Sequence, residues 1–152
     1  RKFHPDTAFN VILFTDGAFM FSDSPMFATQ ANKAALENWM NTEMKINRGN
    51  QSGTSGSTPI VALDKAFAMA PDTIFLITDD PPWREKDTIA ARAEHADEIE
   101  DLIRKWQQKV PRKVAINTIA YKPKDNNEGE EAIEFLKSLA RSSGGRFRKV
   151  TD

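Results

Sequence analysis

Oxygen-bearing side chains stand beside apolar segments at two places in the chain, and these are the candidates for chemistry. One is the hydroxyl-rich sequence SGTSGSTP, in which Thr58 immediately precedes a proline. The other is TDDPP, in which Asp79 and Asp80 follow an apolar run of strand length. Hydroxyl and carboxylate oxygens, without nitrogen or sulfur, are the ligands that suit a hard cation such as Mg²⁺. The two segments therefore favour a hard-cation site.

Each of these residues also has an ordinary structural explanation. Thr58 suits the N-cap of a helix that begins with Pro59. Asp79 and Asp80 suit a solvated turn before two prolines. Short motifs discriminate weakly between such explanations, so both stay open here. Asp16 is different, because the Asp-Gly pair of a tight hairpin explains it fully and it is not a candidate ligand.

Other kinds of site find little support in the residue types. The chain has no cysteine, which excludes disulfides, thiolate zinc sites and a cysteine nucleophile. His4 and His95 are far apart in sequence, and no serine or cysteine motif accompanies them. SGTSGST lacks the Gly-Lys-Ser/Thr ending of a phosphate loop and lies between two predicted helices, which argues against nucleotide binding. An oxygen-ligand site is the arrangement that remains.

Apolar patterning predicts the elements that would position the two segments. Short, nearly unbroken apolar runs predict buried strands at 8–14, 73–78 and 114–121, with a short antiparallel strand at 18–21 and a last strand at 146–150. Helical periodicity predicts helices at about 26–45, 58–70, 86–108 and 130–142. Alternating strands and helices predict a single α/β domain over residues 1–152, with a mainly parallel sheet, helices on both faces and one short antiparallel edge strand. Thr58 and Asp79 would then meet at the carboxyl edge of the sheet.

Charge and apolar run length argue against two further classes, nucleic-acid-binding and membrane-spanning proteins. The 152 residues carry a net charge of −1, which is no electrostatic footprint for a nucleic acid. The apolar runs are far shorter than a membrane span, and no signal peptide opens the sequence. Arg1 is not an initiator methionine, so we expect the sequence to begin at a processing or cloning boundary.

Four segments together resemble the von Willebrand factor A (vWA) family in its bacterial form. They are FNVILF, SGSTPIVALDKAFAMAPDTIFLITDD, VAINTIAY and LKSLARSSGGRFRKV, and they span most of the chain. The resemblance implies a three-layer, Rossmann-like fold and a non-enzymatic protein-binding or adhesion module. It slightly favours a cell-surface or extracytoplasmic location.

The resemblance also implies a metal-ion-dependent adhesion site (MIDAS) that holds Mg²⁺ or another divalent cation. The family builds this site from an Asp-x-Ser-x-Ser motif after its first strand, a threonine and an aspartate. The threonine corresponds to Thr58 and the aspartate to Asp79. An acidic side chain of a protein partner would complete the coordination of the cation.

This sequence departs from the family pattern at its beginning. FNVILF corresponds to the family's second strand, so the first strand and its Asp-x-Ser-x-Ser motif have no counterpart. An upstream segment or a separate chain would have to supply them, since the sheet would otherwise keep exposed strand edges. Ser57 and Asp80 also replace glycines of the pattern. Two alternatives stay open, a structural or assembly scaffold without a working metal site, and a Mg²⁺-dependent phosphohydrolase that uses Asp79 and Asp80.

Overall fold

The structure, a computed structural model, describes residues 4–15, 17–50, 58–82 and 89–151, apart from the side chains of 44–50 and 89–90. Four short strands open the described chain, followed by two helices and then by an alternation of strands and helices. The elements are β1 (Ala8–Phe9), β2 (Ile12–Phe14), β3 (Ala18–Met20), β4 (Met26–Phe27), α1 (Gln30–Asn50), α2 (Ile60–Ala68), β5 (Thr73–Thr78), α3 (Ile89–Gln107), β6 (Ala115–Tyr121), α4 (Asn127–Ser143) and β7 (Phe147–Val150). The predicted α/β class is confirmed.

The main sheet consists of three parallel strands in the order β5-β6-β7. Leu76 lies opposite Thr118, and Thr118 lies opposite Phe147. Helices α3 and α4 make the crossovers, as parallel strands require. Gln107, at the end of α3, accepts from the N–H and donates to the carbonyl of Val114 through its side-chain amide. Two hydrogen bonds from one side chain thus hold the chain where it enters β6.

The core lies on one face of this sheet. Helices α2, α3 and α4 contribute buried side chains that meet those of β5 and β6, among them Leu63, Phe67, Leu76, Ile99, Ile103, Ile116, Leu136 and Leu139. Thr118 is fully buried in the same layer, and its hydroxyl donates to the carbonyl of Leu136. A buried hydroxyl needs such a partner. The bond therefore lets a polar residue stand in the centre of the core.

The opposite face of the sheet carries exposed apolar side chains. Phe75 is 57% exposed, Ile77 52% and Tyr121 49%. These side chains alternate with the buried ones along β5 and β6, so they belong to the second face of the sheet. Among the described elements, no helix packs over these three side chains. The expectation of helices on both faces is thus met on one face only within the described chain.

The antiparallel strands are separate from the main sheet. The strand expected at 18–21 forms as β3 and pairs antiparallel with β2, as the predicted hairpin requires, but the two strands make a sheet of their own. Strands β1 and β4 form a second small pair that was not expected, and Met26 and Phe27 belong to it instead of to the following helix. The hairpin of β2 and β3 packs against α2, and this packing holds it in place without adding it to the parallel sheet. The predicted antiparallel edge strand is therefore wrong for the main sheet of the described chain.

Local signals explain where α4 begins and ends. The side chain of Asn126 accepts from the N–H of Gly129, so the helix begins at Asn127, three residues before the predicted start. Gly144 ends the helix in the left-handed region, at φ 80°. Ser143 is buried in the last turn, and its hydroxyl accepts from the N–H of Ile116. That bond fixes α4 to the central strand β6.

Candidate functional site

Thr58 lies where three elements meet. Its N–H donates to the carbonyl of Thr15, directly after β2, at 3.3 Å. Helix α2 begins two residues later, and α3 reaches it from the other side. The expected N-cap position of Thr58 is wrong by one residue, because Pro59 is the N-cap; the Thr58 hydroxyl oxygen accepts only a long hydrogen bond from the N–H of Ile60. The Thr58 oxygen is 3.5 Å from the Ile60 nitrogen, since the hydroxyl is directed to α3 instead.

His95 is the residue of α3 that meets this hydroxyl. Its Nε2 is 2.9 Å from the Oγ1 of Thr58. Its Nδ1 is 3.2 Å from a carboxylate oxygen of Glu98, one turn further along the helix. The imidazole is almost completely buried, with 1% of its side chain exposed. The two hydrogen bonds are what make such burial tolerable.

Asp79 follows the last residue of β5, and its side chain is exposed. Among the described residues, none forms a hydrogen bond or an ion pair with its carboxylate. The N-terminus of α2 and the end of β5 lie at the same end of the fold, because a short turn reverses the chain between α2 and β5. The structure thus brings Thr58 and Asp79 to one edge without a direct bond between them.

Asp80 is already paired. The ammonium of Lys124 lies 3.0 Å from one of its oxygens and 3.0 Å from an oxygen of Glu128. The hydroxyl of Thr78 accepts from the N–H of Asp80 and donates to its carbonyl, which closes a tight turn. Asp80 and Glu128 together raise the pKa of Lys124, so this group stays charged. Lys124 therefore supplies the positive charge that a cation would supply at Asp80.

Lys124 joins the end of β5 to the start of α4, and Lys124→Gln tests what this contact contributes. We expect a loss below about 1 kcal/mol in the free energy of unfolding, because half of the lysine side chain is exposed. Lys124 lowers the pKa of Glu128 from its ordinary value of 4.5, so that part of the stability is complete above pH 4.5 and is lost as the pH falls through the lowered value. The pKa of Lys124 is raised from 10.5, so its part is lost only as the pH rises above that value.

Urea unfolding of the wild type and of Lys124→Gln across this pH range measures the difference. Lys137→Gln is the control, because the carboxylate that pairs with Lys137 is the exposed Glu134 of the same helix, and its ammonium otherwise lies 5.9 Å from the ring centre of Phe147. A difference that grows towards acid pH would contradict the assignment.

Within residues 4–15, 17–50, 58–82 and 89–151, the edge of β5 that faces away from β6 has no partner strand. Thr118 donates its N–H to Arg146, on the β7 side, so its neighbours in β6 direct their backbone groups towards β5. The backbone groups of β5 that bond with these groups of β6 belong to Ile74 and Leu76, because backbone groups alternate in direction along each strand. The backbone N–H and C=O groups of Phe75 and Ile77 therefore point to the free edge. No described residue hydrogen-bonds with them, and the side chains of both residues are exposed.

The sequence identified Thr58 and Asp79 but not their surroundings. His95 was dismissed because no second histidine, serine motif or cysteine motif accompanied it. The signal that could have found it is its distance of three residues from Glu98, which places both on one side of a helix. Lys124 gave no signal, because its contact with Asp80 joins residues 44 positions apart.

The described residues do not by themselves form a complete metal site. In the described part of the chain, no three histidine or acidic side chains gather as metal ligands. The donors present, a hydroxyl and an unpaired carboxylate, are oxygens of the kind that Mg²⁺ accepts beside water. The hydroxyl of Thr58 and the carboxylate of Asp79 are therefore suited to part of the coordination shell of Mg²⁺, and the remaining ligands would come from elsewhere.

Comparison with known proteins leaves the family assignment as a prediction. No protein-family model matches the chain, and no curated protein matches it in sequence. No helix in the described part of the chain is both long and apolar enough to cross a membrane. The functional interpretation therefore depends on the geometry of the residues themselves.

Proposed function

We propose that this chain is a non-enzymatic protein-binding module that pairs its free β5 edge with a β-strand of a partner. The observation that carries the proposal is the unpaired edge at Phe75 and Ile77, which combines open backbone groups with exposed apolar side chains. An edge of this kind is a template for strand addition. Main-chain hydrogen bonds would supply affinity, and burial of the two side chains would add about 1.5–3 kcal/mol each.

The incoming strand would lie between β5 and β2. Phe14 of β2 packs against the same core cluster as Leu76 of β5, yet the two strands do not pair. A strand between them would join the hairpin to the parallel sheet. A helix following that strand would cover Phe75, Ile77 and Tyr121. The result would be the three-layer vWA-type arrangement that the sequence resembles.

Basic residues border the exposed face of the sheet. Arg148 lies opposite Ile119, so its side chain belongs to the same face as that of Ile77. Lys122 places its ammonium 5.8 Å from the ring centre of Tyr121. A covering helix with acidic residues beside its apolar stripe would match this border.

Thr58 and Asp79 would make the contact dependent on a divalent cation. An incoming strand that ends in Asp-x-Ser-x-Ser would add its oxygens to the hydroxyl of Thr58 and to the exposed carboxylate of Asp79. When bound there, Mg²⁺ supplies a coordination position that captures an acidic group of a protein. The exposure of Asp79, which has no hydrogen-bond or ion-pair partner among the described residues, supports this part of the proposal.

One observation favours the alternative, a scaffold whose assembly needs no metal. Lys124 already neutralises Asp80 at the same edge. An ammonium close to the site repels a divalent cation. Strand addition at β5 is common to both versions, and only the cation requirement separates them.

A designed peptide tests both versions. It alternates valine and threonine over six residues and ends in Asp-Thr-Ser-Gly-Ser. We expect it to slow amide hydrogen exchange at Phe75 and Ile77 by more than about tenfold, with a larger effect in Mg²⁺ than in EDTA. Asp79→Asn should remove the Mg²⁺-dependent part. Asp72→Asn is the matched control, because Asp72 is an exposed aspartate at the other end of β5.

Each outcome of the peptide experiment has one meaning. Equal protection in Mg²⁺ and in EDTA would support the metal-independent scaffold. Protection that Asp72→Asn and Asp79→Asn reduce alike would show that charge alone is responsible. No protection at Phe75 or Ile77 under any condition would overturn the strand-addition proposal.

A further inference from the structure

A buried imidazole connects the candidate ligand Thr58 to a carboxylate. His95 contacts the Thr58 hydroxyl through Nε2 at 2.9 Å and Glu98 through Nδ1 at 3.2 Å. The imidazole is buried, whereas Glu98 is half exposed. Ile99, one turn further along the same helix, is a fully buried member of the apolar core. The arrangement therefore calls for a functional explanation.

The carboxylate determines which ring nitrogen carries the proton. An ionised carboxylate only accepts hydrogen bonds, so the Nδ1 of His95 must donate to Glu98. In the neutral ring, Nε2 is then an acceptor. The hydroxyl of Thr58 consequently donates its proton to His95. Its oxygen keeps its lone pairs for another group.

We propose that His95, oriented by Glu98, is a positioning residue that presents the Thr58 oxygen as a ligand to a divalent cation. This inference rests on the proposed cation-dependent function. If the hydrogen of the Thr58 hydroxyl pointed towards the cation, the cation would face a proton and not the oxygen lone pair that binds it. The backbone N–H of Ile60, at 3.5 Å, is too distant to occupy the oxygen strongly. His95 thus acts as an outer-shell residue does at a metal site, because it orients the ligand Thr58 through a hydrogen bond.

The same connectivity of hydroxyl, imidazole and carboxylate also occurs in nucleophilic enzymes. There the imidazole removes the proton so that the oxygen can attack a carbonyl carbon. Thr58 carries a methyl group beside its hydroxyl, and this crowds such an attack. The exposed carboxylate of Asp79 at the same edge repels an oxyanion but attracts a cation, and the ammonium of Lys124 is already held between Asp80 and Glu128. The electrostatics therefore favour the ligand role, and acylation of Thr58 becomes an outcome of the test.

The first measurement is the ¹⁵N spectrum of the histidine ring in the metal-free chain. We expect His95 to carry its proton on Nδ1 in the wild type. Glu98→Gln replaces the charged acceptor at Nδ1 with a neutral amide that can accept or donate, and should lower the fraction of His95 that carries its proton on Nδ1. Glu98 is half exposed, so this change leaves the core intact. Glu94→Gln is the matched control, an exposed glutamate on the same helix.

The second measurement is the affinity for Mg²⁺ in the presence of the designed strand peptide. Glu98→Gln should raise the Kd by about tenfold or more, as loss of an outer-shell partner does at metal sites. Thr58→Val should abolish the Mg²⁺-dependent part, and Thr58→Ser should retain it. Glu98→Asp should recover part of the loss if it restores the Nδ1 tautomer.

The two measurements separate the possible failures. A proton on Nε2 in the wild type would overturn the positioning role even if Mg²⁺ binds. The expected tautomer together with no Mg²⁺ binding would overturn the cation-dependent function, and the ligand role with it. Acylation of Thr58 by an activated ester, seen by mass spectrometry and lost in His95→Gln, would replace the ligand role with a nucleophilic one.

Discussion

Gly145→Ala is expected to lower the free energy of unfolding by about 3 kcal/mol or more. A Cβ at this position would lie 1.9 Å from the carbonyl oxygen of Ile116 and 2.4 Å from its carbon. Ile116 is fully buried in the central strand, with β5 on one side and β7 on the other. The strand cannot move away without disturbing both pairings. The clash must therefore displace either β7 or the end of α4.

Urea unfolding of three glycine variants measures this effect. Gly17→Ala is the control, because a Cβ there would meet no atom within 4 Å. Gly144→Ala should fall between the two, at about 1–2 kcal/mol, since Gly144 has a φ of +80°. A loss at Gly145 no larger than that at Gly17 would show that β6 and β7 are not as close as the structure has them.

Ile77→Lys is expected to weaken self-association of the chain by at least about tenfold. Without a partner, the free edge of β5 can pair with the same edge of a second molecule, and the segment TIFLIT carries no charge or proline to prevent it. A lysine at Ile77 places a charge in that interface. The side chain is 52% exposed, so the change should cost the monomer little. Sedimentation velocity over a range of concentrations measures the association.

Val61→Lys is the matched control for this effect. Val61 is also an exposed aliphatic residue, but it belongs to α2 and not to a strand edge. Equal changes in the two variants would mean that general surface hydrophobicity, and not the β5 edge, controls association. A wild type that stays monomeric at all concentrations would contradict the prediction directly.

The sequence was informative where a pattern is local. The apolar run at Thr73–Thr78 and the two prolines after it predicted β5 to the residue. The helical periodicity of α3 placed its end within one residue of Gln107. The start of α1 was four residues too early, because Met26 and Phe27 pair with β1, and such a pairing leaves no trace in a helical pattern. Strand pairing depends on contacts distant in sequence, so the separation of the hairpin from the main sheet could not be predicted.

At the candidate site, too, the sequence predicted the features that depend on local signals and missed those that depend on contacts distant in sequence. Thr58 and Asp79 were found because each stands at the end of an element, where sequence signals are strong. The role of Thr58 as a helix cap was wrong, because His95, 37 residues later, competes for its hydroxyl. The ion pair between Lys124 and Asp80 likewise depends on the parallel pairing of β5 with β6.

The three strands of the main sheet lie side by side in the order in which they are synthesised. Each closes on its predecessor through a single helix, so the entropy of loop closure is lost in two similar steps. None of the pairings in this sheet uses a residue before Thr73. The segment from β5 to β7 can therefore form the folding nucleus. The hairpin of β2 and β3 would then dock late, and the gap beside β5 would remain accessible until an incoming strand closes it.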